Sequence, residues 1–252
     1  MQGNLDGGLS LLYAKGQRPL RSDIAQLADL HLAATEGGFS LGHLGDLSSG
    51  RVELVASGLS FDLSGLAPAD SSGIPEIAHR FGEVDPSNLS EVEGIRLDVG
   101  EHLSGGRALL PVVRTMMGVA TRLAGLAGVI AVAWHPARSL MGPGLFRRQI
   151  DGWLAGGAFP ALGLASLAAD DGGGLRSEGL AFFTGQELLI DGTVAGGRQG
   201  AARIAVRLID AMVEQGPITA PVELAGIDGS ALLATPAPGG RLVRVSASGT
   251  GA

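Results

Sequence analysis

Val129-Ile130-Ala131-Val132-Ala133-Trp134, followed at once by His135-Pro136-Ala137-Arg138-Ser139, is the stretch that decides how this chain must fold. The first six residues are apolar without a break, which suits a strand covered on both faces better than a half-exposed alternating one. An inner strand ending in a polar turn is therefore expected. Upstream, Leu109, Val112, Val113, Met116, Val119, Ala120 and Leu123 recur at spacings of three and four and predict a helix over 107–127. Arg107, Arg114 and Arg122 fall on its other face. Pro111 has no N–H and is tolerated only in a first turn, so the regular helix should begin near 107–110, with Ser104 as a candidate N-cap. Gly125 and Gly128 should end it. Downstream, Leu145, Phe146, Ile150, Trp153 and Leu154 predict a second helix over 144–154, followed by a strand at 161–167.

The 252 residues suffice for one large domain or two small ones, each with a real core. Cysteine is absent, which excludes disulfides, thiolate zinc sites, iron–sulfur clusters and a cysteine nucleophile. The net charge of −7 argues against a protein that holds nucleic acid by neutralising phosphates. One Tyr and two Trp also supply few surfaces for stacking bases or sugars. The most apolar region, 108–134, is interrupted by arginines that would each cost roughly 2.5–3.5 kcal/mol near a bilayer centre, so it is expected to be core and no membrane span. The first ten residues carry no basic stretch ahead of an apolar one, and a cytoplasmic location is expected.

Taken in order, 9–14 predicts a strand and 21–35 a helix capped by Ser22 or Asp23. The alternation in 52–56 and 59–63 across Ser57-Gly58 predicts a hairpin. Pro75 suits the start of a short helix over 74–81, and 94–99 predicts another strand after the Asp85-Pro86-Ser87-Asn88 loop. That order is βαββαβ. After the central helix come expected strands at 129–134, 161–167, 179–183 and 187–190, a helix over 201–214, and a strand at 222–225. A terminal hairpin at 231–234 and 242–245 follows, with loose residues expected over 246–252. The expected fold is α+β: two ferredoxin-like βαββαβ halves with antiparallel sheets covered by helices. The first half spans 1–106; the second, 107–252, holds the linking helix, the second βαββαβ set and the terminal hairpin, either as a separate or a fused domain.

The run Leu175-Arg176-Ser177-Glu178-Gly179-Leu180-Ala181-Phe182-Phe183-Thr184-Gly185-Gln186-Glu187-Leu188-Leu189-Ile190 resembles bacterial proteins carrying the domain of unknown function DUF4261. That family has a Gly-bearing strand and an aromatic-Gly turn, then a Glu opening the next strand, a helix and a Gly. Glu187 and Gly216 match these last positions, while Thr184 departs from the turn. The likeness extends over about 9–233 and includes the 129–134 segment. It implies no assigned chemistry.

Several constellations bear on chemistry. Asp191 to Gly200 joins a strand to a helix, and Gly192 and Gly197 have the spacing of a phosphate-cradling loop. Arg198 and Gln199 stand where the lysine and the magnesium-binding hydroxyl belong, so no nucleotide site is expected. Asp98-Val99-Gly100-Glu101-His102 lacks the second histidine of a helical metal site, and no metal or other cofactor is expected. His31 and His79 have no partner ligand at helical spacing, His43 falls in a loop, and no Gly-x-Ser-x-Gly elbow offers a nucleophile. The best cluster is the strand end: His135 as a donor or acid/base, Arg138 as an anion clamp, and Ser139, with Glu187 brought near Arg138 and its pKa lowered by that charge. The plainer alternative is a turn whose arginine points to water.

The sequence supports two functional readings. The first is a non-enzymatic, cytoplasmic binding or protein-interaction domain, favoured by the scarcity of paired catalytic groups. The second is a small-molecule enzyme with a pocket at the strand ends around His135, Arg138 and Glu187. A protein partner or small molecule fits either reading, with a homo-oligomer left open.

Overall fold

The computed structural model describes residues 7–32, 38–42, 50–84, 91–194 and 196–248. His43, the Asp85-Pro86-Ser87-Asn88 loop, the end of the first helix and the last four residues lie outside these. The protein is α+β, with an eight-stranded and a six-stranded sheet, both mixed, and seven helices among the described residues. It divides into two compact units, Met1–Gly157 and Ala158–Ala252.

In the first unit the elements are β1 (Leu9–Ala14), α1 (Arg21–Leu32), β2 (Ser40–Leu41), β3 (Arg51–Ala56), β4 (Leu59–Ser64), β5 (His79–Phe81) and β6 (Val92–Val99). A 3-10 turn (Glu101–Gly106), α2 (Leu110–Leu123), β7 (Val129–Trp134), β8 (Ser139–Met141) and α3 (Pro143–Leu154) complete it. The sheet order is β2-β3-β4-β6-β1-β7-β8-β5. The expected inner strand is inner: β7 lies between β1 and β8, and Val132 and Trp134 are wholly buried. Ser57 at φ 50° and Gly58 at φ 75° close the β3–β4 hairpin in the left-handed region that two-residue hairpin turns require.

Registry puts Leu9, Leu11, Leu54, Phe61, Leu63, Ile95, Leu97, Val132 and Trp134 on one face, and all are buried. Helix α2 offers Val112, Val113, Met116, Ala120 and Leu123 as its buried side and packs on β4 and β6, while α3 packs on β7. Each large side chain so buried contributes roughly 1.5–3 kcal/mol. Pro111 does sit in the first turn of α2, but the N-cap is Leu109 without a side-chain bond; Ser104 lies in the 3-10 turn, where its carbonyl accepts Arg107 Nε. Asp23 does act at the start of α1, accepting the Leu20 N–H at 2.7 Å.

The helix expected at 74–81 is absent. Gly73 and Gly82 bracket a segment too short to offset helix nucleation, and the Ala78 and His79 N–H groups donate to the Arg138 carbonyl instead of to the preceding turn. Its end is β5, which pairs with β8 in parallel. The four strands expected in the first half, β1, β3, β4 and β6, run in the order second, third, fourth, first. A ferredoxin-like order is not established, and the sheets are mixed where antiparallel ones were expected. The expected division after Gly106 also differs from the observed one, because β7 and β8 extend the first sheet.

The second unit holds α4 (Ala161–Leu164), β9 (Ser166–Ala169), β10 (Leu175–Glu178), α5 (Leu180–Thr184), β11 (Glu187–Ile190), α6 (Gly197–Gln215), β12 (Val222–Ala225), β13 (Ala231–Pro236) and β14 (Leu242–Ala247). Its sheet order is β12-β13-β14-β11-β10-β9, with α6 packed on β10 and β11. The terminal hairpin is present as β13–β14, and β14 pairs in parallel with β11. Two expected strands change. At 161–167 a single turn of helix precedes β9, and at 179–183 the chain forms α5. Gly179 at φ 95° breaks the strand, and Gly185 at φ 76° closes the helix with its N–H on the Ala181 carbonyl.

Candidate functional site

The turn after β7 is built from its own backbone. Trp134 pairs with Ser139 across the β7–β8 hairpin, and the Arg138 N–H donates to the His135 carbonyl at 3.0 Å. Arg138 closes the turn at φ 44°, a left-handed conformation that costs a non-glycine residue about 1–2 kcal/mol. The same carbonyl of Arg138 accepts two N–H groups, from Ala78 at 2.9 Å and His79 at 3.1 Å. Its guanidinium Nη1 donates to Glu76 Oε1 at 2.6 Å, with the two side chains 40% and 78% exposed. Arg138 thus holds the 71–84 segment with its main chain and its side chain together.

His135 turns the other way. It is buried, its N–H donates to the Gly8 carbonyl at 3.2 Å, and its Nε2 lies 2.9 Å from Ser10 Oγ. Ser139 is wholly buried between Trp134 and His79 in the registry of the sheet. Of the strand-end trio, only Arg138 therefore presents a charge to water.

Glu187 belongs to the second unit. Its carboxylate accepts the Ser177 hydroxyl, the Gly179 N–H at 3.0 Å and the Ala181 N–H at 3.1 Å, so it caps α5 from the following strand. Burial pushes its pKa above the ordinary value, against the lowering effect of these hydrogen bonds. That reverses the expected lowering by Arg138.

The face of the first sheet opposite the one that bears Leu9, Leu11, Phe61 and Leu97 carries residues that the sequence alone does not assemble. Registry aligns Glu53, Asp62 and Asp98 in one row and Arg51, Ser64, Arg96 and Ser10 in the next. Arg96 binds Asp98 with both ends of its guanidinium, Nε at 2.6 Å and Nη2 at 2.9 Å. The pair lies over Gly8, where an added Cβ would come 2.5 Å from Asp98 Oδ1. Asp62 has its pKa raised first by burial, then by the Glu53 and Asp98 carboxylates, while Arg51 and His102 oppose the shift. His102 Nε2 lies 3.3 Å from Ser60 Oγ. The only advance signal was the polar–apolar alternation of 51–64 and 92–99; nothing in sequence brings Ser10 to His135.

Ser10 and His135 have the spacing of a nucleophile and its base. Ser10 is wholly buried in a central strand, however, so in this conformation no substrate atom can meet its oxygen. Among the described residues no group of three His, Cys, Asp or Glu side chains could hold a metal ion, and no helix is long and apolar enough to cross a membrane. Arg198 and Gln199 are exposed at the start of α6, and Asp191 Oδ1 accepts the Thr193 N–H and hydroxyl in the loop before them. Comparison of the chain with family models, curated proteins and solved structures finds no match.

Proposed function

We propose that this is a non-enzymatic binding or protein-interaction protein whose recognition end is the β7–β8 turn, with Arg138 and Glu76 as its exposed charged pair. The observation that carries this reading is how the strand-end groups are used. His135 and Ser139 are buried in the fold's own bonding, whereas the Arg138 side chain reaches water. A guanidinium fixed by a rigid turn suits recognition of a carboxylate or other anionic group on a partner. The likeness to the DUF4261 family is compatible with such a role and adds no chemistry to it.

The test is affinity isolation from the native host with the wild-type protein and Arg138→Glu side by side, identifying both retained proteins and small molecules. A partner held by the wild type and lost by a folded Arg138→Glu variant is the expected result. Equal retention by both would remove Arg138 from recognition. The second reading, a small-molecule enzyme at this end, is favoured by one observation, the Ser10–His135 bond. Covalent labelling of Ser10 by a serine-directed fluorophosphonate, abolished in His135→Ala, would establish that reading instead.

A further inference from the structure

The second sheet face of the first unit has an apolar end. Leu12, Ala131, Ala133 and Leu140 form a cluster that is 0–1% exposed, and Ile77, Val84, Val92 and Ile130 pack against it. Ile77 and Val84 come from 71–84, a stretch that is mostly exposed and lacks regular structure except for the three residues of β5. Among the described residues, Gly73 to Ile77 make no backbone hydrogen bond. The segment is fastened at its two ends. At one, the Ser72 N–H donates to the Gly94 carbonyl at 2.9 Å, and Ser71 Oγ accepts the Gly94 N–H at 2.8 Å. At the other, Arg138 takes the Ala78 and His79 N–H groups and binds Glu76, and β5 lies along β8.

We propose that residues 71–84 are a strap that opens as one unit while the rest of the sheet stays folded, and that Arg138 is its latch. Local opening favours stretches with few buried apolar contacts and few protected hydrogen bonds, and the strap has both traits against the fully paired strands beneath it. The latch is unusual in holding a non-glycine residue at positive φ, where the Arg138 carbonyl is turned to receive two N–H groups from one segment. Opening bares the Leu12, Ala131, Ala133 and Leu140 floor and frees the outer edge of β8. This inference concerns motion alone and stands whether or not Arg138 also recognises a partner.

Native-state hydrogen exchange on the full chain tests it. The Ser72, Ala78 and His79 amides are expected to share one opening equilibrium, with protection at least tenfold below that of the β1–β7 ladder. Glu76→Arg should speed exchange at all three by roughly two- to fivefold, the range of an exposed ion pair. Ser72 is included because it touches neither Glu76 nor Arg138, so it responds only if the strap moves as a unit. The double variant Glu76→Arg with Arg138→Glu restores an opposite-charge pair and should return the rates towards wild type. The proposal is overturned if Ser72 keeps its rate while Ala78 and His79 change, if all three exchange with the core strands, or if Glu76→Arg changes nothing.

Discussion

Glu187 shows at the scale of one residue how burial can override charge. Its nearest partners are a hydroxyl and two backbone N–H groups, and desolvation still raises its pKa above the ordinary 4.5. A carboxyl whose folded pKa exceeds its unfolded one binds its proton more readily when folded. The stability it confers is therefore present below 4.5 and is lost as pH rises through the folded value. Glu187→Gln should flatten this part of the stability–pH profile, because an amide keeps an acceptor for the Gly179 and Ala181 N–H groups without ionising. Glu187→Ala leaves those donors unmet and should cost about 1–3 kcal/mol in urea unfolding at pH 7. If the two variants prove equally unstable, Glu187 does not cap α5 as described. Gln186, beside it, is more legible in structure than in sequence. Its side chain donates to the Ile218 and Gly240 carbonyls at 3.0 and 2.8 Å and accepts the Ile218 N–H at 2.9 Å. Gln186→Ala should cost about 1–3 kcal/mol for the buried groups it strands, read by the same urea titration. No sequence pattern marks a residue whose partners are 32 and 54 positions away.

Elements were legible where one physical signal dominated. The unbroken apolar run of β7 and the three-four spacing of α2 and α3 leave few alternatives, and each element stands within a few residues of its expected bounds. Short apolar runs are ambiguous. Leu180, Ala181, Phe182 and Phe183 satisfy a strand as well as a helical turn, and the decision falls to Gly179, Gly185 and the Glu187 cap, which act through backbone geometry. The same holds for 74–81, where a proline suited to a helix start yields to the carbonyl of Arg138, distant in sequence. Of the candidate site, His135 and Arg138 were found because a polar turn after a buried strand is visible locally; Ser10 and Glu76 were not, since only pairing of distant segments assembles them. For β7 the inner position makes a strict demand. Val132→Asp places a carboxylate among wholly buried apolar side chains, a change that ranks among the severe ones. Circular dichroism of the purified variant should show no cooperative melt; a soluble protein melting cooperatively near the wild-type temperature would place the strand at an edge.

At the scale of the molecule, the order of elements along the chain did not disclose which sheet each joins. A helix of fourteen residues, α2, separates β6 from β7 and invites a division there, yet β7 returns to pair with β1, the first strand of the chain. The reason lies in β1 itself. Leu9, Leu11 and Tyr13 are wholly buried on the helix-covered face, Leu12 is buried on the other, and the strand needs neighbours along both edges. β6 supplies one edge and β7 the other. A fragment ending at 106 would leave the β7 edge of β1 unpaired and remove the α2 side chains that cover Leu97 and Phe61's face of the sheet. It is expected to aggregate or remain unfolded. A fragment ending at 157 keeps all eight strands with α1, α2 and α3 and should melt cooperatively, with dispersed amide resonances. Folding of the shorter fragment to a comparable state would show that the first four long strands carry their own core and would restore the division after Gly106.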